Sequence, residues 1–239
     1  MQFSEYSYRF AREILQHESH QGAWNEIVEV LAEAPLFLYP GKSRAKPDLD
    51  VVQQVTNTYF ERRLAVDFGW DYHPLATMIQ DSGLAADFRK GYGDLTIQAE
   101  VQFGNMARWY SDIFKFQTAY SQNLINLGLS ILPVFDLAKR IDQNVANFER
   151  AVRELPSAKL SITLPILLIG LYPGAQTKVV DLRECRFKSR ALITGNTNRA
   201  KENRWRIVHA YLSGVPMATV GPDCTTGPMP SGNNEDETA

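Results

Sequence analysis

The chain has 239 residues, of which 44% are hydrophobic and 22% charged, with 25 Lys and Arg against 27 Asp and Glu for a formal net charge of −2. This is the balance of one ordinary globular domain; it does not mark a nucleic-acid binder, although a basic groove can sit on a neutral molecule. Two cysteines, Cys185 and Cys224, exclude a disulfide framework and fit a reducing, cytoplasmic setting, and the longest apolar run, 164–172, falls well short of the roughly 20 residues that cross a bilayer.

Residues 3–34 read as two amphipathic helices, one carrying Phe3, Tyr6, Phe10 and Ile14, the next Trp24, Ile27, Val28 and Leu31, with Pro35 as the stop. No basic patch leads into an apolar stretch there, so a secretory leader is not expected. His17 and His20 lack a third ligand and read as a helix end. A loop over 40–49 precedes a helix from Asp50, with Val52, Val55 and Tyr59 on one face, that ends near Gly69. Residues 84–88 and 95–103 read as strands of a hairpin turning at Gly91-Tyr92-Gly93-Asp94. Centring the turn between Tyr92 and Gly93 sets Asp87 across from Gln98.

A long helical stripe follows, formed by Trp109, Ile113, Phe116, Tyr120, Leu124 and Leu127 and ended at Gly128; residues 129–134 then read as a short buried strand. Asp136 is expected to cap a helix with Leu137, Ile141, Val145, Phe148 and Val152 inward. Residues 165–172 form a hydrophobic strand closed by Pro173-Gly174. Hairpin, helix, strand, helix, strand is an α/β order. It predicts one domain over 1–220 with a core at about 80–174, a central mixed β-sheet flanked by helices, N-terminal helices and a small C-terminal extension over 175–220. Within the extension, 183–206 holds eight Lys and Arg against Glu184 and Glu202. Residues 221–239 are rich in Pro, Gly, Ser, Thr, Asn and acids and are expected to form a disordered tail.

The chemistry sits on the hairpin. Alternate side chains of a strand share a face, so Glu100 and Gln102 point one way and Val101 and Phe103 the other. Alternation alone marks only a half-exposed strand. With Asp87 on the neighbouring strand, however, two carboxylates lie diagonally at about 7–8 Å and can reach one point. A hard cation such as Mg²⁺ accepts one or two carboxylates plus waters, polarises a phosphate and activates a bound water. Asp94 is a rival aspartate, nearer in sequence, but it leaves no room for a turn before Glu100. Cys185 has no histidine or cysteine nearby for catalysis or zinc.

Asp87-Phe88 together with Ala99-Glu100-Val101-Gln102-Phe103-Gly104-Asn105 resembles the active-site hairpin of the BglII and BstYI restriction endonucleases, PD-(D/E)xK nucleases in which glutamine replaces the usual lysine. Tyr6-Ser7, Trp24-Asn25-Glu26-Ile27, Ile131-Leu132-Pro133 and 165–170 look like further segments of that family, so the likeness covers about 6–174. The hairpin is longer than in those enzymes by an even number of residues, which keeps both faces in place. The resemblance implies a PD-(D/E)xK core and a type II restriction endonuclease hydrolysing double-stranded DNA at a short palindromic site, with GATC as its expected centre. It implies Asp87, Glu100 and Gln102 as catalytic residues, Mg²⁺ held by Asp87, Glu100 and the Val101 carbonyl, and Glu26 as a further residue near the site. It also implies DNA contacts from Asn105 and Arg108 and from a loop with Ser157, Lys159 and Ser161, although Asn105 is equally an N-cap and that loop equally a solvent-exposed connection. A two-fold homodimer and a cognate DNA methyltransferase complete the expectation. The rivals are a structure-specific repair nuclease of the same class and an inactive DNA-binding protein, since Gln102 lacks lysine chemistry.

Overall fold

The computed structural model describes residues 1–230. In chain order its elements are β1 (Gln2–Tyr8), α1 (Ala11–Leu15), α2 (Gln21–Glu33), β2 (Leu36–Leu38), α3 (Gln53–Phe60), β3 (Asp71–Tyr72), β4 (Phe88–Tyr92), β5 (Leu95–Val101), α4 (Met106–Ser121), β6 (Leu127–Pro133), α5 (Phe135–Ala138), α6 (Phe148–Glu154), β7 (Ile166–Tyr172), β8 (Val179–Asp181), α7 (Ala191–Thr194) and α8 (Asn198–Leu212). A π-helical stretch, Glu61–Asp67, prolongs α3. Six strands form one sheet in the order β1-β7-β6-β5-β4-β3, and β2 and β8 pair separately. Strands β5, β6 and β7 run parallel, while β1, β4 and β3 are antiparallel to their neighbours. This is the mixed sheet flanked by helices that the sequence predicts.

Parallel strands are covered on both faces, which is why β6 and β7 are almost continuously apolar. One face of the sheet (Ile97, Ala99, Val101, Leu129, Ile131, Leu167, Ile169) packs with α2, α3 and α8. The other face (Leu132, Ile166, Leu168) packs with Trp109, Ile113 and Phe116 of α4 and Ala151 of α6. Two glycines let the helices on this second face come close: a Cβ on Gly128 would stand 3.1 Å from the Phe116 ring, and one on Gly170 would stand 2.5 Å from that of Phe148.

Three expectations are corrected. Residues 2–8 form an edge strand on β7 rather than a helix. The spacing of Phe3, Tyr6 and Phe10 fits a helix, but without β1 the backbone groups along the edge of β7 would lack partners. Phe10 takes no part in a stripe: it begins α1 in the left-handed region (φ 63°) and is 74% exposed. Helix α4 stops at Ser121, not at Gly128. Asn123 adopts φ 58°, its N–H donates to the Tyr120 carbonyl (3.0 Å) and that of Leu124 to the Ala119 carbonyl (2.9 Å), the Schellman arrangement that ends helices. Leu127 and Gly128 therefore begin β6. The single helix expected from Asp136 is two, α5 and α6. Asn147 caps α6, accepting from Arg150 N at 3.0 Å, and the segment between is tied in extended form to the loop after β5 by Met106 N to Asn144 O (3.2 Å) and Ala146 N to Gly104 O (2.8 Å). Asp136 instead pairs with Lys139 on the surface.

Residues 221–230 lie against the C-terminal helices, where Arg206 Nε donates to the Cys224 carbonyl at 2.7 Å. The rest of the expected tail, 231–239, lies outside the described residues. Among the described residues no helix is long and apolar enough to cross a membrane.

Candidate active site

The β4–β5 hairpin aligns the acids. Tyr92 pairs with Leu95 and Phe88 with Ala99, so Gly93-Asp94 makes a two-residue turn, with Gly93 supplying φ 64°. The expected register is therefore corrected by two residues: Arg89, not Asp87, faces Gln98, and Asp87 stands level with Glu100, one step before the ladder. An even shift leaves every side chain on its expected face.

Glu100 is fully buried. Its Oε1 accepts from Gln98 Nε2 (3.1 Å) and its Oε2 from Lys115 Nζ of α4 (2.8 Å). Lys115 also meets Asp112 Oδ1 at 2.9 Å. Gln102 Nε2 donates to Asp112 Oδ2 (2.8 Å), and Gln102 Oε1 accepts from Gly104 N (2.8 Å). The two polar side chains of the strand are thus joined through a lysine and an aspartate of the helix. Asp87 Oδ2 accepts from Val101 N at 2.8 Å. A polar pocket of about 240 Å³ opens here, walled by Asp87, Val101, Gln102, Asp112 and Lys115, with Arg108, Glu61 and His73 around it.

Burial, and then the charge of Asp87, push the Glu100 carboxyl well above its usual range. Burial likewise raises Asp87 and Asp112. Burial works to lower the Lys115 ammonium, but Glu100, Asp112 and Asp87 outweigh it and its pKa rises. Burial is the main cause of the three carboxyl shifts, and a proton or a neighbouring cation such as Lys115 offsets the cost of holding those charges out of water. Among the described residues, no three His, Cys, Asp or Glu side chains converge closely enough to hold a metal by themselves. Asp87, Asp112 and Val101 line the pocket, whereas Glu100 is buried and reaches it through Lys115; carboxylate and carbonyl oxygens are the donors that a hard cation takes together with water.

Residues 3–171 match the family described as restriction endonuclease BglII/BglIII. The chain belongs to the BglII/BglIII restriction endonuclease family. It is accordingly a type II, site-specific deoxyribonuclease, and dependence on a divalent metal goes with that family. Among solved structures, restriction endonuclease BglII complexed with a DNA 16-mer is similar at 23% identity, with TM-score 0.61 over 74% of this chain and 81% of that one. Free BglII is similar at 18% identity and TM-score 0.50, over 74% and 82%. No sequence among curated proteins matches the chain.

Within this BglII-type framework the predicted residues divide. Asp87, Glu100, Val101 and Gln102 come together. The rival Asp94 does not join them: its side chain is 90% exposed at the hairpin tip, where it meets His20 Nε2 at 3.1 Å. Glu26 is also corrected. It lies across the sheet from Glu100, accepting from Trp70 Nε1, from Lys90 Nζ (2.9 Å) and from the Tyr92 hydroxyl (2.6 Å); positions 88, 90 and 92 share the face opposite Asp87. Asn105 does cap α4, its Oδ1 accepting from Arg108 N at 3.1 Å. It also lines a second cleft with Asn144, Asn147, Arg150 and Arg153. Ser157, Lys159 and Ser161 are exposed beyond the end of α6 and line neither cleft. In the basic stretch, Arg183, Arg186 and Arg206 pair with Asp181, Asp223 and Glu202, and Arg204 donates to the carbonyls of Ile193 and Gly195.

Sequence reasoning missed Asp112, Lys115 and Glu61. Asp112 had a signal, because it falls inside the stripe Trp109, Ile113, Phe116, and an acid on a buried helix face needs a partner. Glu61 had none. Burial, aided by Asp87 and opposed by Lys201 and Arg204, raises its carboxyl from 4.5 to about 7. Below pH 4.5 both folded and unfolded chains hold the proton. As pH rises towards 7 the unfolded chain ionises first, so the folded state loses stability, by about 2–3 kcal/mol once pH exceeds 7. Glu61→Gln is therefore expected to raise the melting temperature at pH 8 by several degrees and hardly at all at pH 4.5. Thermal melts at the two pH values check this, and an equal gain at both would assign the effect to something other than the Glu61 proton.

Proposed function

We propose that this enzyme cleaves double-stranded DNA at a short palindromic site using Mg²⁺ held by Asp87, Glu100 and the Val101 carbonyl. The observation that carries this reading is the placing of the buried Glu100 carboxylate level with Asp87 and against Lys115, two residues that line a polar pocket together with Val101, Gln102 and Asp112. When bound, Mg²⁺ supplies the activation of water and the stabilisation of charge on the phosphate. The protein's own groups orient the reactants. Gln102 cannot ionise, so it cannot deprotonate water, but its amide can direct a water or a phosphate oxygen once held by Asp112 and Gly104. Arg108, exposed at the pocket mouth, is suited to a backbone phosphate, a contact that anchors DNA without reading its sequence.

The Asn105 amide nitrogen remains free of the cap and can serve an adenine edge in the major groove, with Ser157, Lys159 and Ser161 forming a second contact loop. A two-fold homodimer matches a palindrome and brings one pocket to each strand. Phe114 and Tyr110 on the outer face of α4, 62% and 45% exposed, supply apolar surface for it. Such an activity belongs in the cytoplasm beside a methyltransferase that protects the host's own sites. Digestion of a long plasmid in Mg²⁺ is expected to give discrete fragments whose sequenced ends share one palindrome. A smear, branch-dependent nicking or no cleavage would overturn the assignment.

A further inference from the structure

Lys115 is a cation placed where packing does not ask for one. Its side chain is 15% exposed and its ammonium is bound by two acids, Glu100 Oε2 at 2.8 Å and Asp112 Oδ1 at 2.9 Å, themselves almost wholly buried. Taking such a set of charges out of water costs several kcal/mol per ion, and apolar residues of similar volume stabilise a fold as well or better. A charged cluster of this kind that borders a pocket is a candidate for function rather than for stability. The two acids occupy two of the three ammonium N–H groups, and Lys115 lines the pocket together with Asp87 and Gln102. Meanwhile the strand position that faces the same pocket, Gln102, carries no charge. Its amide is held by Asp112, the same acid that holds Lys115.

We propose that Lys115 supplies from helix α4 the pocket ammonium that the strand lacks at position 102, acting as a positioning residue: it holds Glu100 directly and Gln102 through Asp112, and keeps one positive charge beside the carboxylates for the phosphate that enters. The proposal rests on the nuclease reading above. It separates from a purely structural role through metal affinity. An ammonium 2.8 Å from Glu100 competes with a divalent ion for that carboxylate, so its loss should not weaken ion binding even as it slows cleavage.

The test uses the full chain and four proteins: wild type, Lys115→Met, Lys115→Arg and the double variant Gln102→Lys/Lys115→Met, which returns the charge to the strand. Single-turnover cleavage of plasmid in Mg²⁺, Ca²⁺ binding by calorimetry and thermal melts are measured on each. Lys115→Met is expected to cleave about 10²-fold or more slowly, the scale for losing one preorganised group at a site of developing charge, with Ca²⁺ affinity equal or tighter. Lys115→Arg and the double variant are expected to recover at least about tenfold over Lys115→Met, because each retains a cation at the pocket. Cleavage by Lys115→Met within about threefold of wild type would overturn the proposal, as would Ca²⁺ affinity falling in step with cleavage. If Lys115→Met melts too early to assay, the other two variants decide: folded protein that cleaves no faster than background overturns it. Wild-type protein that fails to cut any DNA would count against the nuclease reading itself, whereas active wild type with an unaffected Lys115→Met counts against Lys115 alone.

Discussion

Glu100→Gln is expected to lower Mg²⁺-dependent cleavage by at least about 10³-fold, which corresponds to about 4 kcal/mol of lost transition-state stabilisation. The side chain keeps its shape, and Gln98 keeps an oxygen to donate to. What disappears is the carboxylate proposed to share the cation with Asp87, and with it the full charge that binds a hard cation. The fold should tolerate the change. Glu100 lies at 0% exposure, where burial first and Asp87 second disfavour its charge, so a neutral side chain avoids both costs, while Lys115 keeps Asp112 as its partner. Stability at pH 8 is expected to stay within about 1 kcal/mol of wild type, since neutralising a poorly solvated like-charge pair offsets the loss of the Lys115 contact. Single-turnover plasmid cleavage and urea denaturation measure the two quantities. Near-normal cleavage by a folded Glu100→Gln protein would remove the carboxylate pair from the mechanism.

Phe116→Ala has the second largest effect, on stability. Phe116 is wholly buried, its ring lies 3.1–3.2 Å from where a Cβ on Gly128 would stand, and it packs α4 against β6 beside Trp109 and Ile113. Truncating a buried phenylalanine costs about 3–5 kcal/mol, a large part of the 5–15 kcal/mol typical of a domain. The loss should appear as a lower urea midpoint at unchanged slope. Cleavage should also fall at temperatures where the variant is fully folded, because the same helix turn carries Asp112 and Lys115. A midpoint shift worth less than about 1 kcal/mol would mean that α4 is held elsewhere.

Much of this site is legible along the chain. Glu100 and Gln102 are two apart on a strand, and that spacing alone puts them on one face; the error of two residues in hairpin register did no harm because strand geometry repeats every two residues. The continuous apolar runs of β6 and β7 likewise announce strands covered on both sides. In the N-terminal segment spacings of three and four among aromatics fit a helix, whereas the edge of β7 needs a partner and takes residues 2–8.

What the amino-acid order by itself determined is the alternation on β5, the hydrophobic strands, and the sharing of one strand face by Glu100 and Gln102. Only the tertiary structure set Asp87 level with Glu100 and Asp94 at the exposed hairpin tip, placed Glu26 on the opposite face, and brought Lys115 and Asp112 to β5. The reason is physical. Periodicity records which face of its own element a side chain occupies, but contact between a strand and a helix depends on how closely the two approach, and here a close approach is allowed where Phe116 rests on Gly128, a pair twelve residues apart with no polar character at all.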